Sequence, residues 1–242
     1  MDLPGRVALV TGSSSGIGAE ITRRLAAEGA HVVVNARASV EAGRAVAAEV
    51  GGSFEQADVS DPEAARALVA RVVEAHGRLD VLINNAGTTE KIPHADLSAA
   101  TPEVWARLYA TNVIAPWVLV TAAEAALRAA APGCVVNIGS LAGVRPVGSS
   151  VPYAASKAAL HHSSALLAAT LGPAVRVNVV APGLVDTPWT ADWAAERGMV
   201  EALAPIRRSA QPGDVAEVVL AVVRSDYLTG QVLVVDGGLG LR

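Results

Sequence analysis

The amino-acid sequence predicts an α/β fold, a doubly wound and mainly parallel seven-stranded sheet with helices on both faces. Three observations lead there. Short β-rich runs alternate with longer Ala-rich segments of helical period along the whole chain. Several of the strands, such as Val7-Ala8-Leu9-Val10 and His31-Val32-Val33-Val34, are continuous apolar runs rather than alternating ones. Such runs imply burial on both faces, the situation of a parallel sheet covered by crossover helices. A glycine-rich stretch, Thr11 to Gly18, lies between the first strand and the first helix, where doubly wound sheets make their ligand-binding turn.

In chain order the strands are expected at Val7–Thr11, His31–Asn35, Ser53–Ala57, Val81–Asn84, Cys134–Ile138, Arg176–Val180 and Gln231–Val235. Helices are expected at Ile17–Glu28, Val40–Val50, Pro62–Ala75, Pro102–Ala130, Tyr153–Leu171 and Asp214–Val223. Asp61 before Pro62 and Thr101 before Pro102 are N-cap and first-turn pairs. The stretch Ala181 to Pro212 has no clear element, and loops of that length are usually lids. No repeat, low-complexity tract or linker divides the chain. Its 242 residues suit one domain over 1–242, with a nucleotide half to about residue 131 and a catalytic half from about 132.

Composition narrows the partners. Hydrophobic residues make up 52% and aromatics only 3%, so the apolar content is mostly Ala, Val and Leu. A formal charge of -4 offers no basic field for nucleic acid or an anionic membrane surface. The apolar stretch Val113 to Ala131 is interrupted by Pro116, Thr121, Glu124 and Arg128, which argues against a membrane span. Val7-Ala8-Leu9-Val10 is too short for a signal-peptide core. Cys134 is the single cysteine, so no intramolecular disulfide can form and a cytoplasmic location is expected.

The glycine turn has the spacing Gly12-x-x-x-Gly16-x-Gly18. Glycines let the backbone approach a pyrophosphate, and the following helix offers free N–H groups and the positive end of its dipole. The glycine triplet alone also fits a plain strand-to-helix turn; the strand before, the helix after and the distance to the next strand favour nucleotide binding. No Lys follows the last glycine, so the turn is not a Walker phosphate loop. An acid at the end of the second strand, which would accept from a ribose 2′-hydroxyl, is missing: its place falls at Ala36, and Arg37 follows. That favours NADP(H), with Arg37 on the 2′-phosphate, helped by Ser14 or Ser15. NAD(H) is the second reading, since a register shift of a residue or two, or Asn35 on a ribose hydroxyl, would accommodate it.

Tyr153 and Lys157 stand at i and i+4, on one face of a helix start. An ammonium about 4 Å from a phenol, at an effective dielectric near 20, favours the phenolate by roughly 4 kcal/mol, about three pKa units. That would bring Tyr153 into the range of a general acid/base. The spacing alone also fits an ordinary helix with one aromatic and one solvated Lys, but Ser140 at the carboxyl end of the preceding strand adds weight to a ligand site.

These residues, in this order, resemble the short-chain dehydrogenase/reductase family over nearly the whole chain, and are similar to its 3-oxoacyl-carrier-protein reductase-like members. The resemblance implies a Rossmann-type fold and an NAD(P)-dependent oxidoreductase acting on a ketone or secondary alcohol. By that resemblance Gly12, Ser14, Ser15, Gly16, Ile17 and Gly18 form the cofactor turn, and Asp58 with Val59 contacts adenine. Asn84-Asn85-Ala86-Gly87 follows the fourth strand, and Pro182, Gly183, Val185 and Thr187 surround the nicotinamide amide. Asn112, Ser140, Tyr153 and Lys157 match the catalytic tetrad. Tyr153 would exchange a proton with the carbonyl oxygen, Lys157 would lower its pKa and hold the ribose, and Ser140 would bind the substrate oxygen. Asn112, unfavourable inside a long helix, would mark a kink and hold a water. The C-terminal run Leu228-Thr229-Gly230-Gln231 with Asp236-Gly237-Gly238 also fits, although Asp214 to Gly230 is a few residues shorter than the family pattern.

Asp58 could equally mark the turn that follows it. The pair His161-His162 lacks a third ligand at metal spacing and reads as surface or interface histidines, so no metal is expected. An isomerase or epimerase on this scaffold, or a non-catalytic nucleotide sensor, would keep part of this pattern. Such isomerases tend to carry a longer C-terminal region, and a sensor is expected to lose part of the tetrad. Trp189, Trp193, Met199 and Leu203 suggest a mainly apolar small-molecule ketone beneath a lid, while Arg197, Arg207 and Arg208 could read an anionic group at the rim. Trp105, Leu108, Trp117 and Leu127 offer more apolar surface than one sheet face covers, which suggests a homotetramer or dimer.

Overall fold

Seven strands, all parallel, alternate with helices through residues 1–241, the part of the chain that the computed structural model describes. The first half runs β1 (Val7–Val10), α1 (Gly16–Ala27), β2 (His31–Ala36), α2 (Val40–Glu49), β3 (Ser53–Gln56), α3 (Pro62–His76) and β4 (Val81–Asn84). Then come α4 (Pro102–Tyr109), a π-helical turn (Ala110–Ile114), α5 (Ala115–Ala130), β5 (Gly133–Ile138), α6 (Val151–Leu171) and β6 (Val175–Pro182). The chain finishes with α7 (Ala194–Leu203), α8 (Pro212–Arg224) and β7 (Val232–Val235). The sheet order is β3-β2-β1-β4-β5-β6-β7, so the winding reverses between β1 and β4.

Successive residues of one strand point to opposite faces, and both faces here are covered. Leu9, Leu82, Val135 and Val177 pack with α3, α5 and α6 on one side. Their neighbours Ala8, Val10, Ile83 and Val136 pack with α1 and α8 on the other. Leu9, Leu82, Leu119 and Leu127 are fully buried, each stabilising the fold by roughly 2 kcal/mol relative to exposure. The apolar strands therefore fill two cores at once.

Local signals behave as expected at the caps. Asp61 accepts from the Glu63 and Ala64 amides, and Thr101 from Val104. Two expectations need correction. Pro102–Ala130 is not one regular helix but is interrupted by the π-turn at Ala110–Ile114, which contains Asn112. The stretch Ala181 to Pro212 is not without structure: it holds a short 3₁₀ turn, Pro188–Thr190, and α7. Val200 is the only fully buried residue of α7, so the helix shows no core-facing apolar stripe. Segment Pro102–Ala130 also reaches the length and composition of a membrane span, with mean hydropathy 1.5 in its most apolar window. In this fold α5 lies against β4, β5 and α3, with Leu119, Ala123 and Leu127 in the core.

At the amino ends of the strands, Asp80 is fully buried and staples the chain. It accepts from the Val7 amide at 2.9 Å, from Arg6 at 2.7 Å and from Arg78 at 2.8 and 2.7 Å. Burial pushes its carboxyl up, but the guanidinium of Arg78, the Val7 amide and Arg6 outweigh it and hold the group below the usual range. A depressed carboxylate stabilises the fold above its unfolded pKa of about 4 and loses that contribution as pH falls further. Asp80→Asn is expected to cost about 3 kcal/mol, near 6–12 °C in Tm, at pH 7. Thermal melts at pH 7 and at about pH 3, below the unfolded pKa, check this; a gap between variant and wild type that does not narrow on acidification would contradict it.

Candidate active site

The carboxyl ends of β1, β4, β5 and β6 open on one cleft of about 1640 Å3. That is more than the 300–1,000 Å3 a drug-sized ligand fills, and it accommodates a dinucleotide beside a substrate.

On its first wall the turn after β1 is shaped by backbone demands. Gly12 and Gly16 have φ of 60° and 55°, the left-handed region where side chains are strained. A Cβ at Gly12 would meet the Ala86 backbone at 2.9 Å, and one at Gly18 would meet the Asn85 amide nitrogen at 2.5 Å. Asn85 donates to the Thr11 and Gly12 carbonyls, and Thr11 Oγ1 accepts from the Asn85 and Ala86 amides. The turns after β1 and β4 thus lock each other. Helix α1 begins at Gly16 with no side-chain cap and no acid in its first turn, so its free N–H groups face the cleft as an anion site. These features fit a pyrophosphate. Gly12, Ser15, Gly16, Ile17 and Gly18 line the wall; Ser14 does not.

At the end of β2, Ala36 is buried and Arg37 turns out into the cleft, 72% exposed. Its guanidinium stands 3.6 Å from Asp58, a loose surface pair. Asp58 and Val59 also line the wall. Asp58 Oδ1 accepts from Ser60 Oγ and the Ser60 amide, so it serves its own turn as well. Asn35 is not free for a ribose: its side chain is buried, accepting from Gly12 and donating to the Glu55 and Ala57 carbonyls.

The opposite wall carries three of the four polar residues singled out by sequence. Ser140, just past β5, and Tyr153 and Lys157, on the first turns of α6, line the cleft together. Lys157 is 4% exposed, and its Nζ donates to the Ile138 carbonyl at 2.8 Å. Burial lowers its pKa to about 8. The expected lowering of Tyr153 is not seen. Its hydroxyl is pushed up by burial, opposed by a hydrogen bond with Ser140. Lys157 Nζ donates to the Ile138 carbonyl and lies 5.9 Å from the Tyr153 ring centroid.

Asn112 stands behind this wall, 1% exposed. The π-turn aims its amide at the loop after β4: Oδ1 accepts from the Thr88 amide, and Nδ2 donates to the Thr88 carbonyl and to Ser156 Oγ. Ser156 in turn donates to the Tyr153 carbonyl. A Cβ at Gly87 would lie 3.5 Å from Asn112 Oδ1 and 3.7 Å from Lys157 Nζ, so both groups flank one bare stretch of backbone. Thr11, Thr88 and Ser156 were not foreseen, because their partners lie tens of residues away in sequence.

Pro182, Gly183, Val185 and Thr187 close the cleft after β6, followed by Trp189, Trp193, Met199 and Leu203. The expected anion-reading arginines are otherwise engaged. Arg197 binds Asp186 at 2.8 Å and the Thr190 carbonyl, Arg208 binds Asp214, and Arg207 lies outside the cleft. Besides Arg37 and Lys157, the cations on the cleft wall are Lys91, Arg107 and Arg145, with Lys91 paired to Glu196 and lying over Trp193. Among the described residues no group of three or more His, Cys, Asp or Glu could hold a metal. His161 is not a surface residue as expected but is 6% exposed.

Fold and site together define a nicotinamide-dependent oxidoreductase that moves a hydride between its cofactor and a carbonyl/alcohol pair. The pattern for enoyl-(acyl carrier protein) reductases matches residues 12–240. The chain belongs to the short-chain dehydrogenase/reductase family. It is 54% identical over 239 residues, 97% of this chain and 96% of the relative, to a Streptomyces violaceoruber protein assigned as ketoacyl reductase 2 of the granaticin polyketide synthase. It superimposes on a short-chain dehydrogenase from Burkholderia cenocepacia in complex with NADP, with TM-score 0.91 and 38% identity over 99% of both chains. A blue fluorescent protein from a metagenomic library, in complex with NADPH, matches at TM-score 0.91 and 36% identity, also over 99% of both.

A Lys whose pKa is lowered on folding weakens the fold while it must carry a charge, and regains stability as pH rises from about 8 towards its unfolded value. Lys157→Met lacks this dependence. Denaturant unfolding is expected to show wild type gaining about 2 kcal/mol on the variant between pH 7 and pH 9.5. A constant difference would mean that the buried ammonium is not destabilised.

Proposed function

We propose that the chain is an NADP(H)-dependent ketoreductase in which Asn112, Ser140, Tyr153 and Lys157 act together. The observation that carries this is the convergence of Ser140, Tyr153 and Lys157 on one wall, across from the uncapped start of α1. The nicotinamide cofactor supplies the hydride when bound. Ser140 Oγ and Tyr153 Oη hold the substrate carbonyl oxygen between them. Tyr153 gives its proton to that oxygen during reduction and takes it back during oxidation. Lys157 keeps two N–H donors beyond the one on Ile138; these serve the ribose hydroxyls and bring positive charge near the phenol once a ligand narrows the gap. Asn112 holds the π-turn and the loop after β4, and would hold a water in a proton relay with Lys157. Asp58 and Val59 would contact the adenine, and Asn85 to Gly87, which line the same cleft, would help hold the cofactor.

For the cofactor, Arg37 is the group that discriminates. No carboxylate at Ala36 repels a 2′-phosphate, and the loose pair with Asp58 leaves the guanidinium available. Charge-assisted bonds from it favour NADP(H) by about ten- to a hundredfold. The relatives in complex with NADP and NADPH support this reading.

The substrate is a ketone with an apolar body, covered by α7. Trp189, Met199 and Leu203 are each about half exposed on the cleft side, apolar surface suited to such a ligand. A ketone on an acyl thioester fits best, given the ketoacyl reductase assignment of the 54% identical relative. We place the enzyme in the cytoplasm.

The experiment is consumption of NADPH and NADH over a panel of β-ketoacyl thioesters and simple ketones, on wild type, Tyr153→Phe and an Ala36→Asp, Arg37→Ile double variant. NADPH is expected to be preferred, the double variant to reverse or erase the preference, and Tyr153→Phe to lose at least about a hundredfold in kcat while still binding cofactor. Tyr153→Phe within about tenfold of wild type would sink the proton-donor role.

Leu108 and Leu127, expected to add to an outer apolar surface, are buried in the core, but other exposed apolar side chains support a homotetramer, or a dimer as its half. Trp117 on α5 is 51% exposed, Leu166 on α6 58%, and Ile114 in the π-turn 45%. Apolar side chains of that size on neighbouring helices resemble the family's four-helix interface. Light scattering at micromolar concentration is expected to return a tetramer mass; a monomer would overturn this.

A further inference from the structure

Tyr153, Lys157 and His161 stand at i, i+4 and i+8, one stripe along α6. The first two face the cleft. The third lies one turn deeper, against the strand end that carries Ser140. Its imidazole is wedged between two glycines: a Cβ at Gly139 would fall 2.2 Å from His161 Nε2, and one at Gly143 would fall 2.5 Å from Cε1. Only bare backbone on both sides lets the ring in.

The hydrogen bonds of this turn leave one place for that ring. The Gly139 amide goes to the Val180 carbonyl, the Gly143 amide to the Ser140 carbonyl, and the Ala142 amide to Ser140 Oγ. The Ser140 amide goes to no backbone group; it donates to His161 Nε2 at 3.4 Å. A backbone N–H in such a place must find an acceptor, and the side chain from α6 supplies it.

We propose that His161 is a positioning residue, whose imidazole accepts the Ser140 amide and wedges the Gly139–Gly143 turn so that Ser140 Oγ points into the cleft. This rests on the reading of Ser140 as a ligand of the substrate oxygen. To accept at Nε2 the ring must be uncharged, with its proton on Nδ1. Burial, and then the nearby Lys157 ammonium, lower its pKa to about 4 and keep it so at neutral pH. Nδ1 itself has no partner among the described residues, an energetic cost that only a gain elsewhere would offset. The stripe thus ties three elements of one site to one helix face: proton donor, cation and the anchor of the hydroxyl.

The test uses His161→Leu, which keeps bulk and removes the acceptor, and His161→Gln, whose Oε1 can take the place of Nε2. His161→Leu is expected to lower kcat by about tenfold, with cofactor affinity within about twofold of wild type, and His161→Gln to recover most of the loss. In a Ser140→Ala background, adding His161→Leu should cost little more, because both changes act through one hydroxyl. Equal losses in the Leu and Gln variants, full additivity with Ser140→Ala, or an unchanged kcat in His161→Leu would each overturn the proposal. Should His161→Leu fail to fold, 15N spectra of histidine-labelled wild type decide the hydrogen bond: a neutral Nδ1–H tautomer at pH 7 supports it, and an Nε2–H tautomer or an imidazolium overturns it. If Ser140→Ala keeps full kcat, it is the role of Ser140 that has failed, a result distinct from the wrong tautomer.

Discussion

Between β3 and β4 the chain leaves one edge of the sheet, crosses back past β1 and continues in the other direction. The loops leaving β1 and β4 therefore diverge to opposite faces, and a crevice opens between two adjacent strand ends. Every other feature of the site uses that crevice. The glycine turn fills one lip, where α1 presents free N–H groups. The loop after β4 forms the floor, and β5 with α6 builds the opposite lip. The first lip and the floor are not independent, because Asn85 and Thr11 tie the turn after β1 to the loop after β4.

Holding a polar wall against this crevice requires polar groups inside the protein, and these are nearly all paired. Asn84 donates to Asn137 at 2.7 Å, Asn137 to Ser164 at 2.8 Å, and Ser164 to the Leu160 carbonyl at 2.6 Å. This chain of amides and hydroxyls runs from β4 through β5 into α6 and sets the height of the helix against the sheet. Such buried networks rigidify when each member is satisfied. A second network, Asn112 to Ser156 to the Tyr153 carbonyl, fixes the start of the same helix. The buried Lys157 is costly in this setting, and its lowered pKa is the direct expression of that cost.

Opposite the polar wall, α7 is held by polar clasps rather than by a core. Asp186 binds Arg197, and Lys91 binds Glu196 while lying over Trp193. With Val200 as its only fully buried residue, the helix has little apolar area fastening it to the sheet. Elements of this kind belong to the low-stability end of a fold, from which ligand lids are drawn. Arg197 and Arg208 serve nearby carboxylates, and neither lines the cleft wall.

The sheet, its parallel winding and the location of the cleft were legible in the sequence, because they follow from local chemistry. Apolar runs such as Val7–Val10 can only be buried on both faces, and Gly12, Gly16 and Gly18 meet a backbone requirement that side chains cannot. The i, i+4 spacing of Tyr153 and Lys157 placed both on one helix face. What the sequence could not supply was how groups far apart in the chain share partners. The Lys157 ammonium turned out to donate to the Ile138 carbonyl, and burial pushes the Tyr153 phenol up rather than down. Asn35 was spent on the glycine turn, Arg197 and Arg208 on nearby carboxylates, and His161 lay buried between two glycines. Helix α7 was not assigned from the sequence, and Val200 alone of its residues is buried. Periodicity and backbone conformation are properties of neighbouring residues and can be read along the chain. Hydrogen-bond partners and electrostatic distances are properties of the packed molecule, decided only when distant segments meet.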